Sequence, residues 1–252
     1  MTASPSIRED LARLRTAIAT ACGSSAPALP FGVDPIDHRL AAGGLDRHGL
    51  HECAPASPTL NNCAAATLFF AGIAARFAER SRAVLWVISS FDLYAPGLEQ
   101  AGLLPDRVLY AEARKDEDVL AVAEDGLRHG ALAAIVAEVR KVGMTQTRRL
   151  QLAAAEGRTP MLLLRQWRRA GTCPLSDPSS AMTRWRIGSA PSAPLGHPGV
   201  GRGRWNVELV RQRGGNSFSL IVEACDDQGR IALPAAAFDR AVALDGAAAR
   251  AA

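Results

Sequence analysis

Phe31-Gly32-Val33-Asp34-Pro35-Ile36-Asp37, then Leu40-Ala41-Ala42-Gly43-Gly44-Leu45, then Leu50-His51-Glu52-Cys53-Ala54-Pro55-Ala56-Ser57-Pro58-Thr59-Leu60-Asn61-Asn62: this run decides how the chain is read. The paired glycines mark a turn, because glycine enters positive φ at little steric cost. Gly49 to Cys53 reads as a short strand. Thr59 to Glu79 is rich in Ala, Leu and Phe and reads as a long helix.

Outward from this run the chain alternates strand and helix. Ala83-Val84-Leu85-Trp86-Val87-Ile88 is a continuous apolar run, the pattern of a strand buried on both faces. Pro96 to Ala101 reads as a short helix and Val108 to Ala111 as a strand. Asp116 to His129 is a helix with Val119, Leu120, Ala123 and Leu127 on one face. Leu132 to Val139 is a strand, Met144 to Glu156 a helix and Pro160 to Leu164 another buried strand. Such repeated βα units predict a mostly parallel sheet flanked by helices.

The last third changes character. Gln166 to Ser180 is polar and contains Pro. Arg184 to Ile187, Arg204 to Arg211 and Ser217 to Glu223 read as strands, with a hairpin turn at Arg213-Gly214-Gly215-Asn216. Between the first two lies Gly188 to Gly203, a Gly-, Pro- and Ser-rich loop expected to be mobile. Upstream, Ile7, Leu11, Leu14 and Ile18 predict an amphipathic helix over residues 6–21, and Gly23-Ser24-Ser25-Ala26-Pro27 a linker. The expected division is therefore a leading helix and linker at 1–27, one α/β domain at 28–233, and an Ala-rich tail at 234–252.

With 252 residues, 48% of them apolar, the chain can bury a sizeable core. It has no run of eighteen apolar residues, so no membrane-spanning helix is expected. The N-terminus carries Arg8, Glu9, Asp10 and Arg13 without an apolar h-region, so no signal peptide is expected. The five cysteines are odd in number, scattered and without a CxxC pair, which favours a reduced cytosol over disulfides or zinc. His48 and His51, three apart, read as strand-edge residues rather than metal ligands. The net charge is +4, yet residues 139–213 hold fourteen basic and three acidic side chains, a surplus of eleven. The remainder of the chain therefore sums to −7. Such asymmetry favours an anionic partner, either nucleic acid or an acidic protein surface.

The opening run resembles that of the RecA-like branch of the P-loop ATPases, with its Gly-Gly-Leu turn before the first core strand. In an active member that strand leads into a Gly-rich loop ending Gly-Lys-Ser/Thr, whose amides and lysine cradle phosphates. Here Ala54, Pro55, Ser57, Thr59, Asn61 and Asn62 stand at that position, with no glycine and no lysine, and two prolines remove amide donors. The polar residues of the loop are expected to cap the following helix. Ser89-Ser90-Phe91 follows the 83–88 strand where a water-polarising carboxylate is expected, and Asp92 is the nearest acid. Glu138 stands where a Mg²⁺-supporting aspartate is expected, and an ion pair with Arg140 or Lys141, or a helix-cap role, is the preferred reading. No cofactor and no metal site is expected.

A narrower resemblance is to the ImuA family. It rests on Leu29-Pro30-Phe31-Gly32-Val33, on His51-Glu52, on Ala134-Ile135-Val136-Ala137-Glu138-Val139 and on Thr183-Arg184-Trp185-Arg186-Ile187. Most specific is Gly203-Arg204-Trp205-Asn206-Val207-Glu208-Leu209-Val210-Arg211-Gln212-Arg213-Gly214-Gly215. The similarity covers roughly residues 28–235. It implies a degenerate RecA-like core and a non-catalytic role in SOS-linked translesion synthesis. Implied partners are RecA, an ImuB-type Y-family-like protein and an error-prone DnaE-type polymerase. The alternatives are an ATPase with an unusual loop and a single-stranded DNA-binding protein of the RecA superfamily.

Arg186, Arg202, Arg204, Trp205, Arg211 and Arg213 are the candidate contacts to a partner or DNA. In a regular strand Arg204 and Arg211, seven apart, fall on opposite faces, while Arg211 and Arg213 share one. Trp185 and Trp205 have two readings: bases stacking on them, or core packing, which is preferred.

Overall fold

The structure is a computed structural model and describes residues 28–78, 82–167, 171–193 and 199–234. The expected helix over 6–21, the linker at 23–27 and all but the first residue of the Ala-rich tail lie outside the described residues.

The helices are α1 (Asp34–Asp37), α2 (Leu60–Phe77), α3 (Ala95–Gln100), α4 (Asp116–His129) and α5 (Met144–Glu156). The strands are β1 (Leu50–Pro55), β2 (Val84–Ile88), β3 (Val108–Glu112), β4 (Ala134–Val139), β5 (Met161–Arg165), β6 (Thr183–Ala190), β7 (Arg204–Gln212) and β8 (Phe218–Glu223). They form one sheet in the order β3-β2-β4-β5-β1-β6-β7-β8. Pairing is parallel from β3 through β6 and antiparallel from β6 to β8. The expected α/β architecture is thus observed, and β1 lies near its middle.

Chain chemistry explains the helix ends. α4 opens on Asp116, Glu117 and Asp118 and closes on Arg128 and His129, charges that complement the helix dipole. It stops at Gly130, which takes the left-handed conformation at φ 69°. α2 is Ala-rich because it lies close against the sheet. At its Gly72 any Cβ would overlap the Cys225 sulfur.

The sheet buries a different core on each face. On one face α2 and residues 29–45 cover a cluster holding Phe31, Phe69, Trp86, Trp185 and Trp205. Trp185 meets Phe31 at 5.5 Å and Phe69 at 5.7 Å between ring centroids. On the other face α4 and α5 cover Val119, Leu127, Ile135 and Leu163. Burying both faces is why β2, β4 and β5 read as unbroken apolar runs.

The 29–45 segment is held by two devices. The Asp37 carboxylate accepts hydrogen bonds from the amides of Phe31, Gly32 and Val33 at 2.7, 2.8 and 3.2 Å. Leu29 and Leu45 exchange backbone hydrogen bonds of 2.8 Å. Gly43 takes φ 69°, and a Cβ on Gly44 would overlap the Leu29 carbonyl, so the two glycines have separate reasons.

Two expectations are corrected here. β6 continues through Gly188 and Ser189 to Ala190, so the following loop is shorter than residues 188–203; pairing with β7 extends to Ala190 and lengthens the strand. β7 is also irregular. Trp185 pairs with Leu209 but Arg184 pairs with Arg211, so Val210 is an extra residue in a bulge. The bulge reverses the face taken by the residues beyond it. Arg204 and Arg211, expected on opposite faces, lie on the same one.

Candidate functional site

In a sheet of this kind ligands gather at the carboxyl ends of the parallel strands. A pocket of about 340 Å³ lies there, between the first turns of α2, the 92–98 segment and the ends of β4 and β5. Its walls include Pro55, Leu60, Cys63, Ala64, Leu68, Leu93, Tyr94, Leu98 and Leu164, and Asp92 and Glu138 line it too. This is where the sequence places the missing phosphate loop.

The loop itself does not present a cradle of amides. Of the five peptide nitrogens from Pro55 to Thr59, those of Pro55 and Pro58 carry no hydrogen. A third, that of Ala56, donates to the Ile187 carbonyl of β6 at 2.7 Å. At the neighbouring Gly188 a Cβ would come within 3.2 Å of the Ala56 Cβ, a tight contact. The polar residues tie the loop to itself and to β6. Asn62 Nδ2 donates to Ser57 Oγ at 2.7 Å, and Ser57 and Thr59 hydroxyls meet at 3.2 Å. Asn62 Oδ1 accepts from the Ser189 amide at 2.8 Å. The expected capping of α2 is corrected: Thr59 stands at the cap position without a side-chain cap bond, and Asn61 is exposed. The Asn62 side chain points across to β6 instead of back to its own helix. Ala54 is buried in β1.

Glu138 is buried at the end of β4. Trp86 Nε1 donates to its Oε1 at 2.8 Å and Gln166 Nε2 to its Oε2 at 2.6 Å. An ion pair with Arg140 or Lys141 is not what the geometry provides, and this corrects the reading from sequence. The amides of Arg140 and Lys141 donate instead to Asp116 of α4. Glu138 thereby joins three strands, since Trp86 lies on β2 and Gln166 follows β5. The sequence reading missed Gln166; its only signal was the position directly after a buried strand.

His51 lies in a central strand, not at a sheet edge. Its Nε2 meets the Asp46 carbonyl and its Nδ1 the Thr183 hydroxyl, both at 2.8 Å. Trp185 Nε1 donates to the same hydroxyl at 2.8 Å. A neutral ring donating from Nε2 and accepting at Nδ1 satisfies every partner. Burial lowers the His51 pKa, against a smaller opposing effect of Asp46. On the opposite face of β1, Glu52 accepts from Arg184 Nε at 2.7 Å and pairs with Arg165 at 3.7 Å. Arg165 also reaches Asp177 at 3.3 Å. These buried ions link β5, β1 and β6.

The candidate contact residues separate. Arg186 makes two hydrogen bonds to Glu208, at 2.8 and 2.6 Å, and that bond raises its pKa. Arg202 donates to the Ala224 carbonyl and pairs with Glu223. Trp205 is buried edge-on against Phe69, so it supports the sheet and offers no face for a base. Arg211 is exposed and donates to the Ser179 carbonyl at 3.2 Å, and Arg213 beyond it is exposed as well. Half-buried Arg204 stands at the far end of β7, roughly 20 Å from Arg211, since their partners on β6 are six residues apart at a strand rise of about 3.3 Å per residue. Of these candidate contacts, Arg202 and Arg204 thus lie at one end of β7 and Arg211 and Arg213 at the other.

No protein-family model matches the chain. Two relatives do, both described as Protein ImuA, from two strains of Caulobacter vibrioides. Each is 38% identical over 204 residues, which covers 79% of this chain and 84% of the relative. Among solved structures, the RadB recombinase superposes with a TM-score of 0.53 at 14% identity, over 81% of this chain and 98% of that one. That likeness shows a RecA-like fold. Among the described residues no helix is long and apolar enough to cross a membrane. On the extent and level of identity to these relatives, the chain belongs to the ImuA family.

Proposed function

We propose that this protein is a non-enzymatic RecA-like accessory factor in damage-induced mutagenesis, working through protein contacts rather than nucleotide hydrolysis. The observation that carries the reading is the loop after β1. Two imide nitrogens, one amide committed to β6 and the lack of a lysine leave little to hold a triphosphate. Glu138 supports this, because its two oxygens accept hydrogen bonds from Trp86 and Gln166. Kinship with the ImuA family supplies the cellular context. The proposed partners are RecA, an ImuB-type Y-family-like protein and an error-prone DnaE-type polymerase, and the proposed compartment is the cytoplasm. A degenerate RecA-like core keeps part of the shape with which such cores meet one another. Pull-down of the full chain against RecA and against the ImuB-type protein tests the reading. Retention of at least one is expected, and binding to neither overturns it.

A further inference from the structure

The two outer edges of the sheet are finished differently. At β8, Glu223 forms an antiparallel bridge with Ala232, and Pro234 follows two residues on. At β3, the outermost strand on the other side, no described strand pairs beyond it. The Ala113 amide donates to the Ile88 carbonyl of β2. Alternate residues of a strand direct their backbone groups to opposite sides. Leu109 and Ala111 therefore serve β2, and the amides and carbonyls of Val108, Tyr110 and Glu112 face outward. Sheet edges are ordinarily guarded by Pro, Lys, a bulge or a covering segment, and β3 contains none of the first three. It carries apolar side chains instead. Leu109 is 54% exposed on the α4 face of the sheet. On the other face Tyr110 meets Phe91 edge-on at 5.2 Å, and Phe91 is 63% exposed.

We infer that β3 pairs antiparallel with β3 of a second copy of this chain, joining two sheets across a two-fold axis at Tyr110. The strand is its own complement in the register that uses its full length. Tyr110, its midpoint, then lies opposite Tyr110 of the second copy, with backbone groups already turned outward to exchange hydrogen bonds. Leu109 falls opposite Ala111, a large side chain beside a small one, and Glu112 falls opposite Val108. The Tyr110 and Phe91 rings of both copies gather on one face. Continued past the strand ends, the same register brings Arg114 of one copy beside Asp106 of the other, and the symmetry repeats this pair of opposite charges. An in-register parallel alignment would instead set Glu112 against Glu112. This self-complementarity selects a second copy over an unrelated strand. A five-residue contact is small, so association of micromolar strength or weaker is expected. The joined edge lies across the sheet from Arg211 and Arg213, which stay open in both copies.

The test is sedimentation velocity of the full chain over a concentration series reaching the submillimolar range, alongside Tyr110→Lys, Tyr110→Glu and an equimolar mixture of the two. A reversible monomer–dimer equilibrium is expected for the parent chain. Each variant sets like charges across the axis, so its association is expected to fall by about tenfold or more, whereas the mixture sets Lys against Glu and recovers association. Melting temperatures show that the variants keep the fold. Should substitution at Tyr110 unfold the chain, Leu109→Lys gives the same reading from the other face of the strand, where it too is expected to weaken association. A parent chain that stays monomeric throughout overturns the proposal. So do folded variants that associate like the parent, or a mixture that fails to recover association. Because RecA and the ImuB-type protein are absent from the assay, failure here leaves the pull-down result standing, and the reverse holds too.

Discussion

Two pairs of arginines in the basic segment differ in a way that the sequence does not distinguish. Arg165 and Arg184 lie inside the sheet on Glu52, whereas Arg211 and Arg213 stand in solvent at the hairpin end of β7. Both add equally to the surplus of eleven charges, yet only the second group can reach a partner. A local charge excess therefore measures two things at once: internal ionic ties between strands and the outer field of the protein. The first group is expected to matter for folding and the second for recognition.

The largest effect belongs to the inner group. Glu52→Gln leaves Arg165 and Arg184 buried around a neutral side chain and is expected to cost about 3–5 kcal/mol, read as a lower denaturation midpoint in urea. A cost under about 1 kcal/mol would show that water reaches these arginines. Next comes His51, on the opposite face of the same strand. Its pKa is depressed in the folded state, so the unfolded chain binds the proton more readily. Stability contributed by the neutral ring is full above the ordinary value near 6.5 and is lost as pH falls below it. Thermal melts between pH 7.5 and 5 should show this slope, and His51→Gln should flatten it at a cost of roughly 1–3 kcal/mol.

Asp37→Ala frees the three amides of residues 31–33 and is expected to cost about 1–2 kcal/mol, while preserving the far pocket. The smallest change in stability is expected from the outer group. Arg211→Glu with Arg213→Glu should shift stability by less than about 0.5 kcal/mol yet reduce retention of RecA or the ImuB-type protein in pull-down. A loss of stability as large as that of Glu52→Gln would erase the contrast between the groups.

The parallel centre of the sheet was legible in the sequence because β2, β4 and β5 are buried on both faces. Such strands cannot alternate, and the 83–88, 132–139 and 160–164 runs do not. α4 and α5 were legible to the residue, their apolar periodicity bounded by acidic or Gly starts and Gly stops. The bulge at Val210 was not legible. A single inserted residue leaves no compositional mark, yet it decides which face Arg211 takes. The site was legible as a loss, since a phosphate loop without Gly or Lys is visible at once. Its replacement was not. The Trp86–Glu138–Gln166 ties and the pocket walls bring together β1, β2, β4, β5 and α2, and long-range contacts of this kind follow from topology rather than from spacing.

The central claim is that the position of the nucleotide site no longer serves a nucleotide. Titration calorimetry of the full chain with ATP–Mg²⁺ tests it most directly. No saturable heat is predicted up to millimolar nucleotide; a saturable isotherm with micromolar affinity would contradict the account.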